Sequence, residues 1–176
     1  MKANCVVLIG MPGVGKSSVG SVLAKNLSYD FIDLDKYIEY TESTTIKQIL
    51  RDSGEEYFLK LESEKMRQID FSKSVVAPGG SIVYDERLME QLKREATIVY
   101  LEDQLPKIRS RIRDSNLDAI VWNGNESIAS LYLERKPLYE KHAEITISCT
   151  NRNERDIARE VYSRFTKKYN DLKIKQ

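Results

Sequence analysis

The segment GMPGVGKSS at residues 10–18 constrains the fold more than any other part of the sequence. Gly10, Gly15, Lys16 and Ser17 stand at the defining positions of the spacing G-x-x-x-x-G-K-[ST]. This spacing is typical of a phosphate-binding loop, in which backbone N–H groups curl around phosphate oxygens. Such a loop connects a buried strand to the N-terminus of a helix. The segment therefore predicts a strand–loop–helix unit at the start of the chain.

The flanking residues fit that unit. Residues 5–9, CVVLI, form a short apolar run rich in β-branched residues, as in a strand buried on both faces, and apolar residues recur at helical spacing over 19–27. We expect Lys16 to place its charge against the β- and γ-phosphates of a nucleotide and Ser17 to offer its hydroxyl to Mg²⁺. The other loop residues expected to contact the nucleotide are Gly13, Val14, Gly15 and Ser18.

Four more apolar runs alternate with helical patterns along the chain. The predicted strands are 5–9, 31–33, 74–77, 97–101 and 145–149. One predicted helix follows the loop, and the pattern over 36–69 predicts two helices divided at Gly54. Further helices are predicted at 88–95, 104–113, 126–142 and 153–169, followed by a frayed tail. Pro137 is expected to kink the helix at 126–142 or to split it in two. This alternation predicts a three-layer α/β fold with a five-stranded parallel sheet, in which ligands bind beyond the carboxyl ends of the strands.

Composition limits the class of protein. The 176 residues and 41% hydrophobic content suit one domain, residues 1–176, with one core. Lys and Arg number 28 and Asp and Glu 27, a balance that argues against nucleic acid or a membrane as partner. Cys5 and Cys149 lie in apolar runs and are interpreted as buried thiols. With no long apolar segment or signal peptide, the expected location is a reducing cytoplasm.

The order of the motifs resembles the shikimate kinase family. After the glycine loop, the matching residues are FIDLD at 31–35, GEEYF at 54–58 with Glu62, GG at 79–80 and ERKPLYEKHA at 134–143. The resemblance covers about residues 5–165 and implies a P-loop kinase of the nucleoside-monophosphate-kinase type, with a mobile lid at about 112–125. It also implies transfer of the γ-phosphate of ATP, with Mg²⁺, to the 3-hydroxyl of shikimate by a monomer.

The resemblance assigns roles to residues around the acceptor. It places Asp33 near Mg²⁺ and Asp35 on the substrate hydroxyls, where a carboxylate can also accept a proton. The alternative for this acidic pair is capping of the next helix. Gly79 and Gly80 let backbone N–H groups approach the substrate, or form a plain turn. Arg135 holds the substrate carboxylate, or pairs with a neighbouring Glu at the surface.

Other assignments concern the nucleotide and the lid. The resemblance places Arg111 near adenine, with Arg113 as a competitor, and Arg152 in the adenine loop, where it stacks on the base or remains solvated. His142 is the one histidine and is interpreted as structural, since one ligand cannot hold a metal. Trp122 either closes over the substrate or packs in the core.

Three departures from the family pattern affect the acceptor half of the site. Leu59 stands where the family has a second arginine for the carboxylate, and Ser81 replaces the third glycine of a triplet. The lid stretch at 115–118, SNLD, lacks the family's arginine, for which Arg87 or Arg113 could compensate. The sequence therefore leaves open shikimate, a related hydroxylated metabolite, or a nucleotide-binding regulator whose acceptor site is degraded.

Overall fold

The strands form a single parallel sheet, as predicted. The computed structural model describes residues 4–112 and 117–174, with side chains as far as Lys168. The strands are β1 (Cys5–Ile9), β2 (Asp30–Asp33), β3 (Ser74–Ala77), β4 (Thr97–Glu102) and β5 (Ile145–Ser148). Their order across the sheet is β2-β3-β1-β4-β5. In the central strand, Val6 pairs with Val75 of β3 and Thr97 of β4, so β1 presents its carboxyl end at the middle of one sheet edge.

Helices cover both faces of the sheet. They are α1 (Lys16–Leu27), α2 (Leu34–Glu42), α3 (Ile46–Arg67), α4 (Glu86–Glu95), α5 (Leu105–Arg111), α6 (Ile128–His142) and α7 (Glu154–Ile174), and a 3₁₀ turn (Ile82–Tyr84) precedes α4. Because side chains alternate along a strand, Val7 and Ile9 contact one hydrophobic core and Val6 and Leu8 contact another. The second core includes residues of α1 and α7.

The packing of α1 fixes the position of the glycine loop. Gly20 lies so close to the sheet that a methyl group there would sit 2.5 Å from the ring of Phe31. Both termini of the loop are therefore held, one by the central strand and one by a tightly packed helix. The two cysteines, Cys5 and Cys149, are free and buried, as predicted.

The helices differ from the predicted ones at three places. The 36–69 pattern is interrupted not only at Gly54 (φ 78°) but also at Ser43, which adopts a left-handed conformation (φ 53°) and ends α2. Thr45 then caps α3 by accepting a hydrogen bond from the N–H of Gln48. The prediction of two helices there was incomplete because this cap was overlooked.

The other two differences concern the C-terminal third. Pro137 lies inside one continuous helix, α6, so the predicted split is wrong. Arg135 and Tyr139 on either side of it are buried, and this packing outweighs the loss of one backbone hydrogen bond. The predicted frayed tail is also wrong as far as Ile174, since no glycine or proline interrupts α7. Within the described ranges, no helix has the length and apolar character needed to cross a membrane.

Candidate active site

A cavity of about 500 Å³ brings together most of the predicted site residues. It opens where the glycine loop, the end of β2 and the segment after β3 meet. The predicted residues that line it are Gly13, Gly15, Lys16, Ser17, Ser18, Asp33, Asp35, Gly79, Gly80, Arg111 and Arg135. Val14 is buried beneath the loop, and the side chain of Arg152 lies against α7.

The glycine loop is open on the side where an anion would bind. Gly10, Gly13 and Gly15 all have positive φ, of 146°, 77° and 105°. A methyl group at Gly10 would lie 2.6 Å from the carbonyl oxygen of Leu101, whereas one at Gly15 would meet no atom of the described residues within 4 Å. Among those residues no side chain caps α1 at Gly15, so the N–H groups of its first turn are available to phosphate oxygens. This cradle fits the phosphates of a nucleotide.

Lys16 is a partly buried cation that forms no ion pair with the described residues. Its Nζ donates hydrogen bonds to the carbonyl oxygens of Gly10 at 2.8 Å and Met11 at 3.1 Å. Burial lowers the pKa of this amine from 10.5 to about 8, and the carboxylate of Asp35 opposes the shift. A bound polyphosphate would supply the missing negative charge, so the lysine fits the predicted ligand.

The two acids at the end of β2 have different structural roles. Asp33 is the N-cap of α2, where its Oδ1 accepts from the N–H of Lys36 at 3.3 Å. The capping alternative therefore applies to Asp33 and is wrong for Asp35, which lies in the first helical turn. Both side chains line the cavity. Burial raises the pKa of Asp35 from 3.8 to about 6, because it disfavours the charged form more than Lys16 favours it.

The donor set suits magnesium. Within the described ranges, no group of three or more His, Cys, Asp or Glu side chains could hold a metal without help. Magnesium keeps several waters and binds through one or two protein groups together with substrate phosphates. Ser17 and Asp33 line the cavity beside the phosphate cradle and can supply such groups.

The Gly79-Gly80 pair is a site of close approach. A methyl group at Gly79 would overlap Oε1 of Glu62, and one at Gly80 would lie 2.9 Å from Cδ of Pro12 and 3.0 Å from Nη1 of Arg135. These contacts leave little room for a side chain at either position, which supports the interpretation of the pair as a site of close approach.

Arg135 is buried at the wall of the cavity and has 1% of its surface exposed. Its Nε donates to the hydroxyl of Tyr84 at 3.0 Å and its Nη2 donates to the carbonyl oxygen of Val121 at 2.6 Å. The guanidinium also lies 5.0 Å from the ring centroid of Tyr84. The alternative of a surface pair with Glu134 is wrong, because Glu134 instead accepts from the side chain of Asn123.

The remaining predicted arginines are engaged in ion pairs or exposed. Arg111 lines the cavity and pairs with the buried carboxylate of Asp103 at 2.8 Å. Arg152 pairs with Glu160 at 2.5 Å, so its stacking on adenine stays a prediction that no contact here supports. Arg87 is exposed on α4 and is not among the side chains that line the cavity, which weakens its role as a substitute for the lid arginine.

The described part of the predicted lid is hydrogen-bonded to α3. Glu55 accepts hydrogen bonds from the backbone N–H groups of Trp122 at 2.6 Å and Asn123 at 2.8 Å. The ring of Trp122 packs against the hydrophobic core, which supports the packing alternative for this residue. Arg113 and the stretch 115–116 lie outside the described residues.

The sequence interpretation missed Tyr139 as a support of the site. Its hydroxyl donates to the carbonyl oxygen of Gly80 at 2.8 Å, and its ring stacks on Tyr100 with centroids 5.2 Å apart. Tyr139 follows Arg135 by four residues on α6, so the two share one helix face. That spacing, visible in ERKPLY, was the available signal. His142, three residues further along α6, is also buried.

Comparison with known proteins assigns the family. A family profile described as "SKI: Shikimate kinase" matches residues 12–166. The chain belongs to the shikimate kinase family. Among its relatives are the shikimate kinases of Clostridium botulinum (strain Eklund 17B), 39% identical over 139 residues covering 78% of this chain and 83% of that protein, and of Persephonella marina, 32% identical over 160 residues covering 90% and 97%.

A solved structure extends the agreement to the fold. The structure of shikimate kinase from Acinetobacter baumannii in complex with shikimate superposes with a TM-score of 0.86, at 29% identity and with 94% of each chain covered. The resemblance to the shikimate kinase family and the predicted α/β fold are therefore confirmed. Membership of the family makes the chain a phosphotransferase that acts on an alcohol group.

Proposed function

We propose that this chain transfers the γ-phosphoryl group of ATP to the 3-hydroxyl of shikimate, with Mg²⁺ as the metal. The observation that carries this proposal is the lining of one cavity. The phosphate cradle, the carboxylate of Asp35 and the buried guanidinium of Arg135 all lie along its wall. Those groups match the chemistry of the two substrates, one a polyphosphate and the other a hydroxylated carboxylic acid. Family membership supports the same reaction.

The nucleotide half of the site binds the negatively charged phosphates of ATP. Lys16 and the first-turn N–H groups of α1 bind the β- and γ-phosphate oxygens. Ser17 and Asp33 would hold Mg²⁺, which when bound neutralises charge on those oxygens. On the adenine side we propose Arg111, which already lines the cavity, and Arg152, which would have to leave Glu160.

The acceptor half orients a hydroxyl and a carboxylate. Asp35 takes the proton of the acceptor hydroxyl while that oxygen bonds to the γ-phosphorus and the bond from this phosphorus to ADP breaks. A carboxyl pKa of about 6 brings this group nearer to neutral pH, where a base is effective. Arg135 binds the substrate carboxylate with its planar fork, and Nη1 lies on the side of Gly80.

Substitution of Lys16 tests the nucleotide half. We expect Lys16→Ala to lower kcat/KM at least about a hundredfold, because a preorganised charge on the transferring phosphate is lost. Lys25→Ala, an exposed lysine of the same helix, is the matched control and should retain activity. The measurement is ADP release with shikimate and MgATP. Full activity of Lys16→Ala would contradict the proposal.

The acceptor is tested with a panel of hydroxylated acids. Leu59 and the lid sequence at 115–118 depart from the family pattern, and this favours an altered hydroxy acid as the second candidate acceptor. ADP release that depends on shikimate and falls with its methyl ester supports shikimate and the role of Arg135. Release that depends only on another acid identifies the second candidate. ADP release that needs no acceptor argues against a kinase and favours the alternative of a nucleotide-binding regulator whose acceptor site is degraded.

The chain is further proposed to act as a cytoplasmic monomer. The large apolar side chains exposed within the described ranges are dispersed at Tyr40, Tyr57, Leu133 and Tyr162. The two buried free thiols suit a reducing compartment. Light scattering coupled to size exclusion measures the assembly state, and a dimer mass at micromolar concentration contradicts the monomer.

A further inference from the structure

A buried carboxylate stands directly behind the acceptor half of the cavity. Glu62 has 1% of its surface exposed, and its Oε2 accepts a hydrogen bond from Oγ of Ser81 at 2.7 Å. Its Oε1 has no hydrogen-bond partner among the described residues and lies against Gly79. The position a methyl group would take at Gly79 is also 3.1 Å from Oδ1 of Asp35. Glu62 therefore packs directly against the glycine pair that lines the acceptor half of the cavity.

Leu59 belongs to the same cluster. It precedes Glu62 by three residues on α3, so the two side chains are neighbours on the helix surface. Leu59, Glu62 and Ser81 together line a second cavity of about 340 Å³. An arginine at position 59 would be within reach of the carboxylate, whereas leucine has no hydrogen-bond donor. In this chain the donor comes instead from Ser81.

We propose that Leu59 and Ser81 form one linked departure from the family pattern, in which the Ser81 hydroxyl holds Glu62 in place of an arginine at position 59. Ser81 is thus a positioning residue. The Ser81 hydroxyl keeps Oε1 of Glu62 beside Gly79. In this way it also keeps in place the backbone of the glycine pair, which the acceptor would contact. The inference rests on the proposed function for its kinetic test, but not for its stability test.

The linkage explains two substitutions that are otherwise unrelated. Serine at position 81 adds a side chain beside a crowded glycine pair, and leucine at position 59 removes a charge from the neighbourhood of a buried acid. Together they leave Glu62 with one neutral donor. Burial raises the pKa of Glu62 from 4.5 to about 7, and the Ser81 hydrogen bond opposes the rise.

The kinetic test is a double-mutant cycle. We expect Ser81→Ala to raise the KM for shikimate about tenfold, as for the loss of one hydrogen bond to a charged group, with little change in the KM for ATP. Leu59→Arg should lower the KM for shikimate more in the Ser81→Ala background, where it also restores a donor to Glu62, than in the unmodified background. Leu59→Met, which keeps the volume but supplies no donor, is the matched control and should not lower the KM in this way.

The stability test needs no substrate. Ser81→Ala should move the pH dependence of unfolding to higher pH, because the loss of its hydrogen bond raises the pKa of Glu62 further, and Leu59→Arg should move it back. Unfolding midpoints between pH 5 and 8 measure this. If shikimate gives no turnover, the proposed function fails while this test still decides the linkage. Equal effects of Leu59→Arg in both backgrounds, or an unchanged Ser81→Ala, overturn the inference.

Discussion

Replacement of Asp35 by asparagine should make the ligand-free protein more stable at neutral pH and less active. Asparagine imitates the protonated carboxyl group, so the difference between the two proteins reports the cost of ionising Asp35 in the folded state. The rise of its pKa from 3.8 to about 6 corresponds to about 3 kcal/mol, at 1.36 kcal/mol for each pH unit between the values. The carboxylate opens onto the cavity, and solvent screening reduces the expected effect to about 2 kcal/mol.

The sign follows from linkage. A carboxyl group whose pKa is raised in the folded state binds its proton more tightly there, so its contribution is present below pH 4 and is lost as the pH rises through 6. The free energy of unfolding of Asp35→Asn should therefore exceed that of the unmodified protein by an amount that grows by about 2 kcal/mol between pH 4 and pH 8. For a domain of this size, that is about 4–8 °C in Tm.

Urea unfolding of the ligand-free protein at pH 4, 6 and 8 measures this difference. Asp30→Asn, an exposed aspartate at the start of the same strand, is the control and should give curves that track the unmodified protein. A stability gap for Asp35→Asn that stays constant with pH, or a variant less stable at pH 8, would refute the assignment of Asp35 to a desolvated site. Kinase activity should fall as the stability rises, because the proton acceptor is removed.

Two further predictions concern the walls of the site. Gly79→Ala should raise the KM for the acceptor at least about tenfold and leave the KM for ATP nearly unchanged, because the new methyl group displaces the buried carboxylate of Glu62. Steady-state kinetics with each substrate varied in turn measure both constants, and an equal rise in the two would contradict this prediction. Glu55→Ala should lower stability by about 1–2 kcal/mol and increase hydrogen exchange at Trp122 and Asn123, whose N–H groups lose their acceptor; unchanged exchange there would mean that Glu55 does not hold the lid.

The sheet and the phosphate cradle could be predicted because their signals are local. A parallel strand buried on both faces is a continuous apolar run, and the glycine loop carries its dihedral requirements in its own residues. The break between α2 and α3 depended on a cap at Thr45 within a polar stretch, which periodicity alone does not reveal. The predicted split at Pro137 was wrong for a similar reason, because the burial of Arg135 and Tyr139 on either side of it is not visible in the local sequence.

The second layer of the site could not be predicted because it depends on contacts between distant elements. Tyr84 reaches Arg135 from the 3₁₀ turn before α4, and Ser81 reaches Glu62 from the segment after β3. Neither pairing leaves a periodic signal in the sequence. The ion pair between Arg152 and Glu160 is a further example, since the stretch predicted to be an adenine loop gives no sign of it.

The cavity and the residues behind it concentrate ionisable groups whose charged forms burial disfavours. Burial lowers the pKa of Lys16 to about 8 and raises those of Asp35 and Glu62 to about 6 and 7, while the guanidinium of Arg135 is enclosed with neutral partners. The charged forms of Lys16, Asp35 and Glu62 are therefore less favourable in the ligand-free protein than in water. For Arg135 burial acts in the same direction, but the neighbouring Tyr139 and Tyr84 outweigh it and raise the pKa of the guanidinium. Phosphate and carboxylate ligands would add counter-charges to the two cations. Because a ligand that binds only the folded state stabilises it, nucleotide and acceptor should each raise the unfolding midpoint, the first through Lys16 and the second through Arg135.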